Sequence, residues 1–155
     1  MRYEAGNTST IVTATADLPL VAIRAPTTEI ARLLELGVFL TSATATRLGL
    51  ARATTVSVTP GTTKPGRAIF PGTPAAPLAD SGTLLVSSWG TGPVISTNYL
   101  RKISLPATIG AGFIWTWPVD RPLIVGDGEN ISELVLANLV AVAPGTFDYY
   151  AVWEN

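Results

Sequence analysis

Apolar and polar residues alternate along much of this chain, which is the pattern of β-strands with one buried face. In SELVLANL (residues 132–139), Leu134 and Leu136 share one face and are predicted to lie in the core. Similar runs, each bounded by Gly or Pro, are TTVSVT (54–59), TLLVSSW (83–89) and LRKISL (100–105). The pattern predicts an all-β chain of about eight to ten strands with little or no helix, in an antiparallel sandwich of jelly-roll type.

The closing segment, FDYYAVWEN (147–155), is apolar on both faces of the strand that it predicts. Tyr149 and Trp153 fall on a wholly apolar face and are expected in the core. Tyr150 and Val152 fall on the other face, which is apolar only in its middle. A strand of this kind is usually covered twice, by its own core and by something else. Tyr150 and Val152 are therefore predicted to meet a neighbouring molecule.

A second aromatic cluster, FIWTWPVDRPLIV (113–125), places Phe113, Trp115 and Trp117 on one strand face. Two interpretations compete for this cluster: a platform on which sugar rings stack, or an inward face. Each buried aromatic side chain removes on the order of 150 to 250 Å² from water. Sugar platforms usually bring carboxamides or carboxylates beside their aromatics, and none is adjacent here. The three side chains are predicted to be structural core.

The segment TTEIARLLELGVFL (27–40) is the one serious helix candidate, because several of its apolar residues fall near one helical face. Gly37 interrupts that pattern, and strand-like sequence follows. We favour a strand over 30–40 with a bulge at Gly37 and a hairpin near 41–45.

Length favours a single domain over residues 1–155. Residues 1–16 could form an extended N-terminal arm that adds a strand to another subunit's sheet. Residues 60–82 carry five prolines and form the longest stretch without a regular period. Because they include Ile69 and Phe70, we interpret them as an ordered loop laid on a surface, such as that of a neighbouring subunit; a mobile loop is the alternative.

Composition narrows the functional classes. Only 14% of residues are charged against 47% hydrophobic, so association with other copies is expected. A net charge of -1 with scattered basic residues argues against nucleic acid. The chain has no Cys and no His, which removes thiol and Ser-His-Asp catalysis and the commonest metal ligands. No membrane span, targeting segment or cofactor is expected.

The remaining motifs are weak. GDGEN (126–130) resembles an acidic calcium loop only loosely and lacks its ligand spacing, so a hairpin turn with Gly126 or Gly128 at positive φ is favoured. The Gly-rich stretches at 90–93 and 110–112 lack the features of phosphate loops. A carboxylate-based hydrolase stays open as a minor hypothesis, since two carboxylates facing across a cleft cannot be recognised from sequence.

The succession RKISLPATIGAGFIWTWPVDRPLIV, LVLAN and YYAVWE resembles small structural proteins of tailed bacteriophages and prophages. The N-terminal RYEAGNT and LLELGVFLTSATATRLGLAR resemble the first half of the same group. The shared patterns belong to the framework and contain no catalytic signature. The resemblance implies a jelly-roll virion component that is oligomeric and attached to a capsid or tail.

Two functions follow as expectations. The first is a non-enzymatic decoration or cement subunit on the capsid surface, made in the bacterial host cytoplasm, whose partners are itself as a homotrimer and a phage major capsid protein. Its contact residues would be Ile69, Phe70, Tyr150 and Val152. The alternative is a receptor- or glycan-binding module of a head or tail fibre, for which the candidates are Trp89, Asn98 and Tyr99.

Overall fold

A computed structural model describes residues 1–69 and 80–155, and within them the chain is all-β, which confirms the predicted class. None of these residues forms a helix long and apolar enough to cross a membrane. The strands are β1 (Arg2–Ser9), β2 (Leu18–Ala25), β3 (Ala31–Leu40), β4 (Thr46–Thr55), β5 (Val58–Pro60), β6 (Thr63–Ala68), β7 (Asp80–Val86), β8 (Trp89–Thr91), β9 (Val94–Ile95), β10 (Arg101–Leu105), β11 (Gly112–Thr116), β12 (Leu123–Val125), β13 (Ser132–Asn138) and β14 (Phe147–Glu154).

Most strands belong to one long antiparallel path that curls on itself. Its order in the described residues is β10-β4-β13-β2-β7-β6-β1-β14-β3-β11, with β12 also paired to β3 and β9 to β4. Strands β5 and β8 form a small separate sheet. The two halves of the path face each other across the core, which gives a sandwich-like architecture.

The core is built from the inward residues of both halves. Leu36 on β3 and Tyr149 on β14 meet residues of β2, β4 and β13 across it, and all of these side chains are buried. Trp153 is fully buried and lies against Gly66 of β6, where an added Cβ would come 2.1 Å from the indole ring. Glycine at 66 therefore allows the Trp153 ring to lie against β6, although β1 separates β6 from β14 in the sheet. The residues of β2, β4 and β13 that meet Leu36 and Tyr149 in the core are Val21, Ala22, Ile23, Leu50, Leu134 and Leu136.

Segment 27–40 forms strand β3 rather than a helix, and its bulge differs from the expected one. Glu35 pairs with Val152 and Leu33 pairs with Trp153, so the extra residue is Leu34 and not Gly37. The bulge allows Leu33 and Leu34, which are adjacent in sequence, both to be buried. The carbonyl of Leu34 accepts a hydrogen bond from the amide of Trp117 at 2.8 Å.

The hairpin expected near 41–45 is also wrong. Strand β3 pairs with β14, β11 and β12, whereas β4 pairs with β13, β10 and β9, so these residues link strands in different halves of the path. Alternation within the segment could not reveal this, because a tight turn and a crossing between layers place the same residue types at the surface.

The prediction of an extended N-terminal arm is also corrected by the strand pairing. Strand β1 pairs with β14 over Arg2–Ser9 and with β6 on its other side, so its backbone is engaged within the chain's own sheet. The predicted loop 60–82 contains strand β6 and the start of β7, which pair with each other. Pro65 is tolerated in β6 beside an irregularity in the ladder.

A buried polar cluster ties the segment after β4 to the sheet. Glu133 on β13 is buried and accepts hydrogen bonds from the Ser57 amide at 2.7 Å and the Ser57 hydroxyl at 2.5 Å. Arg24 on β2 donates to the same carboxylate at 2.8 Å and to the Ser57 carbonyl at 3.0 Å. A buried charge is tolerated only when it is paired and hydrogen-bonded in this way.

Replacing Glu133 by Gln should therefore be costly. The variant leaves the largely buried Arg24 guanidinium, whose side chain is 14% exposed, without its counter-charge, and we expect a loss of about 3 kcal/mol in the free energy of unfolding, measured by urea denaturation. Glu154→Gln is the matched control, because its ion pair with Arg2 is partly exposed and should contribute below about 1 kcal/mol. Equal losses in the two variants would contradict this account.

Candidate functional site

The outer surface of the β1-β14-β3-β11 region carries an apolar strip that we call the Tyr150 face. In one cross-strand row Gly6 pairs with Tyr150, Tyr150 with Gly37, and Gly37 with Ile114. Ile114 is 51% exposed and Phe39 is 36% exposed. The members of the Tyr150 face are Gly6, Gly37, Phe39, Gly112, Ile114, Tyr150 and Val152.

Two aromatic rings lie flat on glycines in this face. An added Cβ at Gly37 would come 2.1 Å from the Tyr150 ring, and one at Gly112 would come 2.3 Å from the Phe39 ring. The two rings are nearly parallel, with an interplanar angle of 7° and centroids 6.5 Å apart. The glycines thus allow the rings to be held close to the backbone as a flat apolar surface.

The Tyr150 ring is fixed by its hydroxyl as well as by its packing. The hydroxyl donates a hydrogen bond to the Glu35 carboxylate at 2.5 Å. Partial burial and this bond to a carboxylate together raise the pKa of Tyr150 to about 12. The phenol is therefore a neutral donor at ordinary pH, and the ring is positioned before any partner arrives.

A groove runs beside the ring, over Gly6. It consists of two adjoining depressions of about 430 and 550 Å³ that share Gly6, Lys64 and Tyr150. Gly6 has no atom within 3.4 Å of the place where a Cβ would lie, so the floor of the groove is open at this point. Its remaining lining residues are Glu4, Ala5, Asn7, Thr8, Phe39, Pro65, Arg67, Asp148 and Tyr149.

Charged groups surround the apolar centre. Glu4, Glu35 and Asp148 are close to Tyr150 in the register of the three strands, and Asp148 accepts a hydrogen bond from the Thr8 hydroxyl at 2.5 Å. Lys64 and Arg67 lie on β6 at the far side of the groove. The arrangement is an apolar centre with a charged rim, which is the anatomy of a protein–protein contact.

The structure brings together only part of the predicted contact set. Tyr150 and Val152 are half-buried members of the Tyr150 face. Ile69 is half-buried, and its amide donates to the Arg2 carbonyl at 3.0 Å, so it lies at the end of β1 rather than on the apolar centre. Phe70 lies outside the described residues.

The residues predicted as core fall into two groups. The four on β13 and β14, Leu134, Leu136, Tyr149 and Trp153, are buried. Phe113, Trp115 and Trp117 pack against the core but are only half-buried, because β11 is the last strand of its half of the path. The prediction was that these three side chains face the core, and they pack against it; the edge position of β11 leaves them partly exposed.

The half-buried Trp115 and Trp117 make cation–π contacts with an arginine of the strand at the other end of the path. The Arg101 guanidinium of β10 lies 4.9 Å from the ring centroid of Trp117 and 5.9 Å from that of Trp115. Strands β10 and β11 are the two ends of the described path, and this contact joins them through side chains. Sequence analysis does not single out Arg101, because a contact between two strands distant along the chain leaves no local pattern.

The candidates for glycan binding belong to different structural elements. Trp89 lies in the small β5–β8 sheet. The Tyr99 ring packs on Gly49 of β4, and its hydroxyl donates to Asp17. Asn98 is exposed beside it. Tyr99 therefore has a structural role in holding the segment before β10 against β4.

The turn at 126–130 is stabilised by hydrogen bonds to the side chain of Asp127. The Asp127 carboxylate accepts from the amides of Glu129 and Asn130 at 2.8 and 2.7 Å, and these bonds lower the pKa of Asp127 to about 2. Gly126 and Gly128 both have positive φ. The turn joins β12 to β13, which do not pair with each other, so the expected hairpin is wrong.

No metal-binding cluster of acidic side chains occurs in the part of the chain described.

Comparison with known proteins adds no further constraint: no family model, curated protein sequence or solved structure matches this chain.

The glycines of the Tyr150 face lead to a paired test. Gly37→Ala drives a methyl group into the Tyr150 ring, so we expect a loss of about 1 to 3 kcal/mol in the free energy of unfolding and a changed near-ultraviolet circular dichroism spectrum. Gly6→Ala, in the same cross-strand row, meets only ordinary contacts and should change stability by less than about 0.5 kcal/mol. Equal free energies of unfolding and equal spectra for the two variants would show that the Tyr150 ring does not rest on Gly37.

The hydroxyl of Tyr150 leads to a pH test. Since its pKa is raised from 10 to about 12 in the folded protein, the stability it contributes is fully present below pH 10 and is lost as pH rises through 12. Spectrophotometric titration should show a phenol ionising near pH 12 that Tyr150→Phe lacks and Tyr99→Phe retains. A titration unchanged in Tyr150→Phe would disprove the Glu35 contact.

Proposed function

We propose that this protein is a non-enzymatic structural subunit that works by associating with copies of itself through the Tyr150 face. The observation that carries the proposal is the pre-formed apolar strip, in which Phe39 and Ile114 stay exposed and Tyr150 is fixed in place. A strand that is apolar on both sides is satisfied when a second molecule covers the outer side.

The energetics favour assembly on this surface. A standard interface buries about 800 Å² on each partner, roughly 57% of it apolar, which at ~25 cal/mol per Å² gives on the order of 20 kcal/mol before the costs of association are subtracted. Rings that are already fixed against the sheet lose little side-chain freedom on contact, which reduces that cost. The low charge content of the chain, 14%, supports the same reading.

The biological setting follows from the resemblance to tailed-phage structural proteins. We propose a capsid decoration or cement subunit that acts as a homotrimer on the virion surface and binds a phage major capsid protein. The all-β sandwich is compatible with that group, and the face described above supplies a contact between copies. In this setting the function is mechanical: apolar contacts between subunits hold the particle together, and no cofactor takes part.

Carboxylates with structural roles support a non-enzymatic reading. The Glu29 carboxylate accepts five hydrogen bonds, one each from the Gly82 amide, the Ser81 hydroxyl and the Asn155 side chain and two from Thr83. Burial acts to raise the pKa of Glu29, but these bonds outweigh it and the net pKa is lowered. Glu133 is likewise engaged by Ser57 and Arg24, so both carboxylates serve as structural anchors.

The glycan-binding alternative has weaker support. Its named residues lie apart, with Trp89 in the β5–β8 sheet and Tyr99 committed to Gly49 and Asp17. We therefore retain self-association as the proposed function.

The proposal is tested by placing a charge in the apolar strip. Ile114→Lys should dissociate the oligomer, because the ammonium group would be buried without a partner. Light scattering after size-exclusion chromatography should give the mass of three chains for the wild type and of one for the variant. Purified particles should carry the wild type in a copy number set by capsid symmetry and should lack Ile114→Lys.

Val94→Lys is the matched control, because Val94 is 58% exposed on β9, outside the Tyr150 face. It should behave as the wild type. A wild type that stays monomeric at micromolar concentration, or an Ile114→Lys oligomer as stable as the control, would overturn the proposed function.

A further inference from the structure

A closed ring of three copies needs two different surfaces on each copy, because its contacts are head-to-tail rather than symmetric. The Tyr150 face supplies one of these surfaces. The second has to be apolar, complementary in charge, and located elsewhere on the same chain.

A surface among the described residues that meets these requirements is one we call the Trp edge: Arg101, Trp115, Trp117 and Val119. It lies where β10 and β11, the two ends of the path, approach each other without pairing. Val119 is 61% exposed, and the two tryptophans that precede it along the chain are half-buried. Apolar side chains thus reach the surface at this edge, where the Arg101 guanidinium lies over the tryptophan rings.

The stacked arginine leaves this edge able to bind carboxylates. A guanidinium that lies over aromatic rings uses its face for stacking and keeps its in-plane N–H donors available. Arg101 is held in this way by Trp117 and Trp115 at 4.9 and 5.9 Å. It is therefore a pre-positioned donor, with little side-chain freedom left to lose on contact.

The charges of the two surfaces are complementary. Glu4, Glu35 and Asp148 surround Tyr150, whereas Arg101 lies on the Trp edge and Arg121 follows Val119 in the same turn. The remaining charges also match, since Asp120 follows Val119 on the edge and Lys64 and Arg67 flank the groove of the face. Such pairing fixes which surfaces meet and in what orientation.

From these observations we infer that the Trp edge of one copy docks on the Tyr150 face of the next, with the turn at Val119 entering the groove over Gly6. The inference rests on the proposed function, because it requires that copies associate. It adds the identity of the partner surface and the head-to-tail character of the contact.

The absence of cysteine from the chain makes a direct test possible. Thr8→Cys marks the groove and Val119→Cys marks the Trp edge, both at exposed positions. The two variants are mixed and treated with a short bifunctional maleimide. We expect a cross-linked pair that contains one chain of each kind, and little product from either variant alone.

The matched control replaces Val119→Cys by Val58→Cys, since Val58 is 59% exposed but lies in the β5–β8 sheet. It should give no product with Thr8→Cys. Circular dichroism of each single variant verifies that the fold is retained, and light scattering verifies that the variants still associate.

The outcomes separate this inference from the proposed function. Cross-linking of Thr8→Cys with itself would mean a symmetric face-to-face contact and would overturn the inference alone. Association without any Thr8–Val119 product would do the same. Monomers in every sample would overturn both, and a product that forms equally with Val58→Cys would overturn the inference as non-specific.

Discussion

Strand β14 is apolar on both of its faces, and the rest of the structure depends on how each face is covered. The inner face sends Tyr149 and Trp153 into the core, where they meet residues of the opposite half of the sheet path. The outer face presents Tyr150 and Val152 between β1 and β3. One strand therefore links the interior that stabilises the subunit to the surface that we propose for assembly.

Aromatic rings pack closely on glycines on both the inner and the outer side of the sheet. Trp153 rests on Gly66 inside the sandwich, while Tyr150 and Phe39 rest on Gly37 and Gly112 outside it. In each case the missing Cβ allows a large ring from another strand to lie against the backbone at the glycine. Dispersion contacts are then made over the whole ring face, and a ring so held has a single preferred position.

The all-β class and the inward residues of β13 and β14 could be predicted from sequence, because strict alternation fixes which side chains share a face. The pairing of strands could not. The bulge at Leu34, the crossing at 41–45 and the central place of β1 all depend on contacts between distant segments. For the same reason Phe39 and Ile114 were not recognised as neighbours of Tyr150: only the register places Gly37 beside both Tyr150 and Ile114.

The pairing of β1 with β14 has a consequence for how the fold is reached. Arg2 lies opposite Glu154 and the Met1 amino group donates to the Asn155 carbonyl at 2.8 Å, so the two strands most distant along the chain are direct neighbours. Closing so long a loop costs entropy before its contacts are gained, which makes slow folding the expectation for this topology. The same proximity means that a short linker between residues 155 and 1 could preserve the fold while new termini were opened elsewhere, a route to circular permutants that keep the Tyr150 face intact.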